Sequence, residues 1–144
     1  MKIRKNNKED IYKIVNLWYK VSLEAHNFID KEYWKTAKVD MKEKYIPNSE
    51  TYILENNNEL YGFISMIENY LAAIFIDDKF QSQGFGKKLL DYVKKDRDYI
   101  ELKVFKKNNR AYNFYSKNGF KIKEKLIDKN LKEEEYLMIW NKNQ

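Results

Sequence analysis

The sequence predicts a mixed α/β domain organised on one largely antiparallel sheet with helices packed against it. Three observations predict it. Strand-like and amphipathic helical segments follow one another in the order β-α-α-β-β-β-α-β-α-β-β. The 144 residues are the size of one domain, expected to run from 1 to 144, and are enough to bury a core. Hydrophobic residues make up 43% and aromatic residues 16%, a folded composition and not a disordered one.

Each element has its own warrant. MKIRK alternates and forms a first strand. From Asn7 to about Leu23, Ile11, Ile14, Val15, Trp18 and Tyr19 recur at three- and four-residue spacing, one face of a helix. A second helical stretch follows AHNFI, from about Asp30 to Tyr45, and stops before Pro47. TYILE (51–55), a turn at NNN and LYGFISMI (60–67) predict a hairpin. LAAIFI (71–76), the most apolar run, is the central strand. After it come QSQGFGKK (81–88) and a helix from about Phe85 to Lys95, with Phe85, Leu89 and Val93 on one face. YIELKVF (99–105) is a further strand, and NRAYNFYSKNG (109–119) a helix with Gly119 as its C-cap. FKIKEKL (120–126) alternates strictly and EYLMIW (135–140) closes the chain. EEE (133–135) and the lysine pairs at 94–95 and 106–107 read as solvated faces or turns.

Composition removes several chemistries. The absence of cysteine excludes disulfides, thiolate metal sites and a cysteine nucleophile. A single histidine, His26, excludes a two-histidine zinc motif, so no metal is expected. The opening MKIRKNNKEDIYK has no apolar signal-like run, and no segment approaches the roughly 18 apolar residues of a membrane span. A cytoplasmic protein with no membrane partner is expected. The formal net charge of +6 suits an anionic partner, whether nucleic acid, an acidic surface or a small polyanion. Only Arg4, Arg97 and Arg110 are arginines, however, and nucleic-acid readers lean on arginine. The charge therefore reads as compositional drift.

QSQGFGKK is the stretch that carries chemistry. A loop between a strand and a helix N-terminus presents unpaired backbone N–H groups at the positive end of the helix dipole. Gly84 and Gly86 let a pyrophosphate approach that backbone, and Lys87 and Lys88 add charge at the rim. The segment is not a P-loop, which needs a glycine at Gln81 and a hydroxyl at Lys88, and it lacks the third glycine of the dinucleotide fingerprint. By itself it fits a phosphate cradle and a helix-starting turn equally.

Its neighbours separate the two. QSQGFG fits [Q/R]-x-x-G-x-[G/A], five residues beyond an apolar strand, and NRAYNFYSKNGF (109–120) follows some twenty residues after the loop. The pair resembles the two motifs of the GNAT superfamily of acetyl-CoA-dependent N-acetyltransferases. The second motif is N-x-x-A-x-x-F-Y-x-x-x-G-F, supplied here by Asn109, Ala111 (one place nearer than the commonest spacing), Phe114, Tyr115, Gly119 and Phe120. The element order matches the GNAT acyl-CoA N-acyltransferase fold over nearly the whole chain. LWYKVSLEAHNFIDKEYW (17–34) and ENYLAAIFI (68–76) look like the small bacterial YiaC-like branch.

The resemblance implies acetyl-CoA as co-substrate, with an amine attacking the thioester directly in a ternary complex. It implies a backbone N–H near Ile74 as oxyanion donor, splayed by a bulge, with Phe75 and Ile76 along the pantetheine arm. Gln81, Ser82, Gln83, Gly84, Phe85, Gly86 and Lys87 would enclose the pyrophosphate, and Asn109 would bond the pantetheine. Tyr115 is expected as general acid: a tyrosine, with a pKa near 10, is protonated when it meets a leaving thiolate whose acid sits near 8.5. Periodicity alone makes Phe114 and Tyr115 core aromatics. A lysine acceptor is protonated at pH 7, so a base is expected, with Glu68 the candidate beside Tyr70 on the acceptor side. His26, with Phe28 and Trp34 as walls, is expected either in the acceptor channel or as a helix cap.

The acceptor expected is a primary amine, in first place a protein lysine, with peptide N-termini, polyamines and amino sugars as alternatives. A non-catalytic coenzyme A sensor and a basic nucleic-acid module are the competing classes. The second lacks any recognition signature, so no nucleic acid is expected. Monomer and dimer both stay open.

Overall fold

In the computed structural model, residues 1–143 are described, and among them the chain forms seven strands and four α-helices. They are β1 (Lys2–Lys5), α1 (Ile11–Ala25), α2 (Lys31–Asp40), β2 (Glu50–Asn56), β3 (Glu59–Ile67) and β4 (Tyr70–Ile76), then α3 (Phe85–Lys94), β5 (Tyr99–Phe105), α4 (Asn109–Lys117), β6 (Lys121–Asp128) and β7 (Glu133–Asn141). The expected class, an α/β fold with a mixed and largely antiparallel sheet flanked by helices, is the one observed. The residues group into two compact units, 1–92 and 93 onward.

In the first unit β1, β2, β3 and β4 form an antiparallel meander. Asn57 and Asn58 join β2 to β3 with φ of 52° and 64°, the left-handed pair that a two-residue hairpin turn demands and asparagine tolerates. The α1 residues Ile14, Val15, Trp18, Val21 and Ser22 recur every three or four positions and are buried, and the helix packs on β3 and β4. Its start is tied down by charge. Arg4 Nη1 and Nη2 donate to Asp10 at 2.8 and 3.1 Å, while its Nε and Nη2 donate to Glu55 at 2.8 and 3.3 Å. The guanidinium thereby holds the Asp10 carboxyl below its ordinary range, first through the hydrogen bond itself.

The second helical stretch is not one regular helix. It is α2 followed by a wide π turn over Met41–Tyr45, where the Ile46 N–H donates to the Met41 carbonyl at 3.0 Å. In a regular helix residues five apart face apart. Widening the turn brings Met41 and Ile46, both buried, toward the core before Pro47 stops the helix.

In the second unit β5 pairs with β7 and β7 with β6, all antiparallel, and α4 packs on β5. Gly119 at φ 90° closes α4, with the Phe120 N–H donating to the Tyr115 carbonyl at 3.0 Å. The acidic run 133–135 is the opening of β7 and not a turn. Glu133 and Glu134 pair with Lys107 and Lys106 at 3.2 and 3.3 Å, and burial pushes the Glu135 carboxyl up.

Candidate active site

The glycine loop is held from both ends by β3. Beyond β4 the chain makes a 3-10 turn, Asp78–Phe80, capped by Asp77, whose carboxylate accepts from the Lys79 N–H at 3.1 Å. The Tyr61 carbonyl on β3 accepts from the Asp77 N–H at 2.8 Å. The Tyr61 ring stacks on Phe80 at 3.6 Å with planes 9° apart, and lies 5.4 Å from Phe85. One side chain thus clasps the residue before the loop and the residue inside it. Neither Tyr61 nor Phe80 is singled out by the sequence motif.

Gln81 is a latch. Its Nε2 donates to the Ile76 carbonyl at 3.0 Å and to Asp78 Oδ1 at 3.2 Å, fastening the loop to the end of β4. Ser82 and Gly84 then take φ of 64° and 84°. The left-handed conformation costs a non-glycine residue about 1–2 kcal/mol, so Ser82 is held there by its surroundings. The Gly84 carbonyl accepts from the Lys88 N–H at 3.2 Å and so opens the first turn of α3. The N–H groups of Phe85, Gly86 and Lys87 are therefore at the helix start, where no intrahelical carbonyl reaches them. A Cβ at Gly84 would meet nothing within 4 Å, so open space lies over that backbone. Donors, dipole and space fit a pyrophosphate. Lys87 contributes chiefly its backbone, because its ammonium pairs with Asp91 at 2.6 Å.

β4 presents Ile74, Phe75 and Ile76, all half-buried, with Phe75 stacked on Phe63 at 5.7 Å. Its pairing with β3 does break, between Leu71 and Ala73, making Ala72 the extra residue. Ile74 itself pairs in register with Ile64, two residues beyond the break. Gly62 on β3 is a close approach: a Cβ there would lie 2.6 Å from the Phe75 carbonyl and 2.5 Å from Ile76 Cδ1. A glycine inside a strand is the sequence signal for such contact. Glu68 occupies the exposed β3–β4 hairpin turn with φ 55°, and half-buried Tyr70 opens β4, at the opposite end from Ile76.

His26, Phe28 and Trp34 come together in space. Trp18 and Ser22 of α1 and His26 at its C-cap are four apart in sequence, and Trp34 of α2 meets the first and the last of them. It meets Trp18 edge-on at 5.7 Å and stacks on His26 at 5.0 Å. Phe28 meets His26 edge-on at 6.0 Å, and Tyr33 meets Trp34 at 4.9 Å. His26 Nδ1 is 3.2 Å from the Ser22 carbonyl, which also accepts the His26 backbone N–H at 3.0 Å. The histidine therefore caps α1 as well. Burial pushes its pKa down, against the hydrogen bond to Ser22. The end of α1 adjoins the end of β4: Glu24 hydrogen-bonds Asp78, raising its own carboxyl pKa, and Lys20 lies 3.7 Å from Asp77.

The second motif occupies α4 of the second unit. Its N-cap is Asn108, whose side chain accepts from the Ala111 N–H at 3.2 Å, and Asn109 is the exposed first residue of the helix. Counted from Asn108, three before Ala111 and seven before Tyr115, the motif has the commonest spacing. Tyr115 is 8% exposed and meets Phe114 and Phe120 edge-on or tilted at 5.5 and 5.7 Å. Among the described residues no group of histidine, aspartate and glutamate is placed to hold a metal ion, and no helix is long and apolar enough to cross a membrane.

The glycine loop, the strand that precedes it and the Tyr115 helix all lie within the stretch that matches a known family. Residues 47–122 match the family described as the acetyltransferase (GNAT) domain, and the chain belongs to the GNAT acetyltransferase family. It is an acetyl-CoA-dependent N-acetyltransferase. It is 32% identical to the peptidyl-lysine N-acetyltransferase YiaC of Escherichia coli, over 96% of this chain and 92% of that protein. It is 25% identical to the peptidyl-lysine N-acetyltransferase YjaB of Salmonella typhimurium, over 83% of each. Among solved structures, the apo form of YjaB from Escherichia coli superposes with a TM-score of 0.85 at 21% identity, covering 96% of both chains. YncA of Salmonella typhimurium, solved with acetyl-CoA, superposes with a TM-score of 0.73 at 13% identity, covering all of this chain and 95% of that one.

Proposed function

We propose that this enzyme moves the acetyl group of acetyl-CoA to the side-chain amine of a lysine in a protein, with residues 1–144 working as one domain. The observation that carries the acceptor is the 32% identity, across 96% of the chain, to a protein named a peptidyl-lysine N-acetyltransferase.

The residues divide the work. The backbone N–H groups of Ser82 to Lys87 bind the pyrophosphate, with Gln81 and Tyr61 holding the loop in shape. Phe75 and Ile76 line the pantetheine arm, and Asn109 bonds it. The Ile74 N–H donates to the thioester oxygen as charge develops there. His26, Phe28, Trp34 and Tyr70 shape the acceptor side. Tyr115 gives its phenolic proton to the leaving sulfur. The amine displaces coenzyme A directly, since the chain has no cysteine to carry the acetyl group.

Coenzyme A release measured across an amine panel tests this, with the mass of each product read directly. Lysine peptides are expected to be acetylated once per reactive lysine, ahead of polyamines and amino sugars. Tight acetyl-CoA binding with no release on any amine would instead make the protein a sensor.

A further inference from the structure

The lysine acceptor must lose a proton before it can attack, and Glu68, in an exposed hairpin turn, is poorly placed to force that loss. We propose that His26 is the base, receiving the ammonium proton of the acceptor on its Nε2 nitrogen. This rests on the acceptor reading above.

Geometry sets the tautomer. A carbonyl only accepts hydrogen bonds, so the 3.2 Å contact with the Ser22 carbonyl puts the ring proton on Nδ1 and the lone pair on Nε2. The stack on Trp34 and the edge contact with Phe28 fix the plane of the ring. The same surroundings desolvate the imidazole and keep it neutral, the form a base needs.

Two further atoms mark the spot as one that takes a polar group. The Trp34 Nε1–H and the Ser22 hydroxyl are buried and hydrogen-bond no other group among the described residues. Buried donors are nearly always satisfied, and Ser22 stands one helical turn from both Trp18 and His26, the two rings that Trp34 meets. The contacts of Lys20 and Glu24 with Asp77 and Asp78 bring this end of α1 to the end of β4 that leads into the glycine loop.

The step balances simply. The ammonium gives one proton to Nε2, leaving a neutral amine and an imidazolium. The amine nitrogen bonds to the acetyl carbon as the carbon–sulfur bond breaks, and Tyr115 supplies the proton that the sulfur takes. The imidazolium then returns its proton to water.

The test uses two acceptors of different basicity, a lysine peptide and hydroxylamine, which is already neutral at pH 7. His26→Asn keeps a donor for the Ser22 carbonyl but has no Nε2. It is expected to lower kcat with the lysine peptide by about tenfold or more, to lower the hydroxylamine rate far less, and to regain activity with added imidazole. Acetyl-CoA binding should match the wild type. If His26→Asn does not bind acetyl-CoA, His26→Gln takes its place in the same comparison. Equal losses on both acceptors, or no loss on either, would overturn the assignment. So would a Glu68→Gln enzyme that shows the acceptor-dependent loss instead. A wild type silent on every amine would remove the lysine reading itself, a distinct result.

Discussion

The imidazole of His26 lies on the indole of Trp34 with ring centroids 5.0 Å apart and planes 25° apart. This contact joins the end of α1 to α2 and helps to bury the only histidine in the chain. Burial lowers the folded pKa of His26 from its ordinary 6.5. Below that value the unfolded chain binds a proton that the folded one resists, so stability is complete above it and declines as pH falls. Denaturation midpoints should drop as pH falls below about 6.5, and the drop should be smaller in His26→Asn.

The Arg4 clamp acts in a lower window. Asp10 has a depressed folded pKa, so its contribution is present above the ordinary carboxylate value of 3.8 and is lost as pH falls through the folded one. Asp10→Asn removes a charge-assisted bond between β1 and the start of α1. It should cost about 1–3 kcal/mol at neutral pH and flatten the acid limb of the stability profile, as read by denaturant titration.

Gly62 and Gly84 should fail differently. An alanine at Gly62 drives a methyl into the Phe75 carbonyl and Ile76, so β4 must shift at the residues assigned to the pantetheine arm. Gly62→Ala should lower the melting temperature and weaken acetyl-CoA binding together. Gly84→Ala meets no atom but must hold φ 84°, at a cost of about 1–2 kcal/mol. Its methyl enters the space proposed for phosphate, so the loss of acetyl-CoA affinity should exceed the loss of stability. Calorimetry on both variants separates the two.

Tyr61 and Gln81 are proposed to preorganise the loop without touching the chemistry. Tyr61→Ala and Gln81→Leu should each raise the Kd for acetyl-CoA by about tenfold, the worth of roughly one hydrogen bond or ring contact. kcat at saturating acetyl-CoA should be retained. A fall in kcat with unchanged Kd would show that these side chains act elsewhere.

Local rules made much of this legible in the sequence. The Asn57–Asn58 turn, the apolar run of β4, the glycine at the end of α4 and the two motifs each declare themselves within a dozen residues. What stayed hidden depends on residues far apart in the chain. Arg4 meets Glu55 across 51 positions, Tyr61 meets Phe80 across 19, and Gly62 is constrained by a strand that follows it. The π turn after Asp40 was equally hidden, because the pattern of apolar residues shows a helix but not its local pitch. Which of the adjacent Asn108 and Asn109 caps the helix is not visible in the sequence, because the two look alike until the helix forms. The start of β7 is masked by three glutamates, two of which, Glu133 and Glu134, find their partners in Lys107 and Lys106 before α4.

Transfer to a lysine peptide by the wild type and by Tyr115→Phe, followed by intact mass beside acetyl-CoA binding, is the most direct test. The wild type should acetylate the peptide. The variant should bind acetyl-CoA as tightly while kcat falls by about tenfold or more, because the leaving thiolate has lost its proton donor. An unchanged kcat in Tyr115→Phe, or an unmodified peptide with active wild-type enzyme on another amine, would contradict the account.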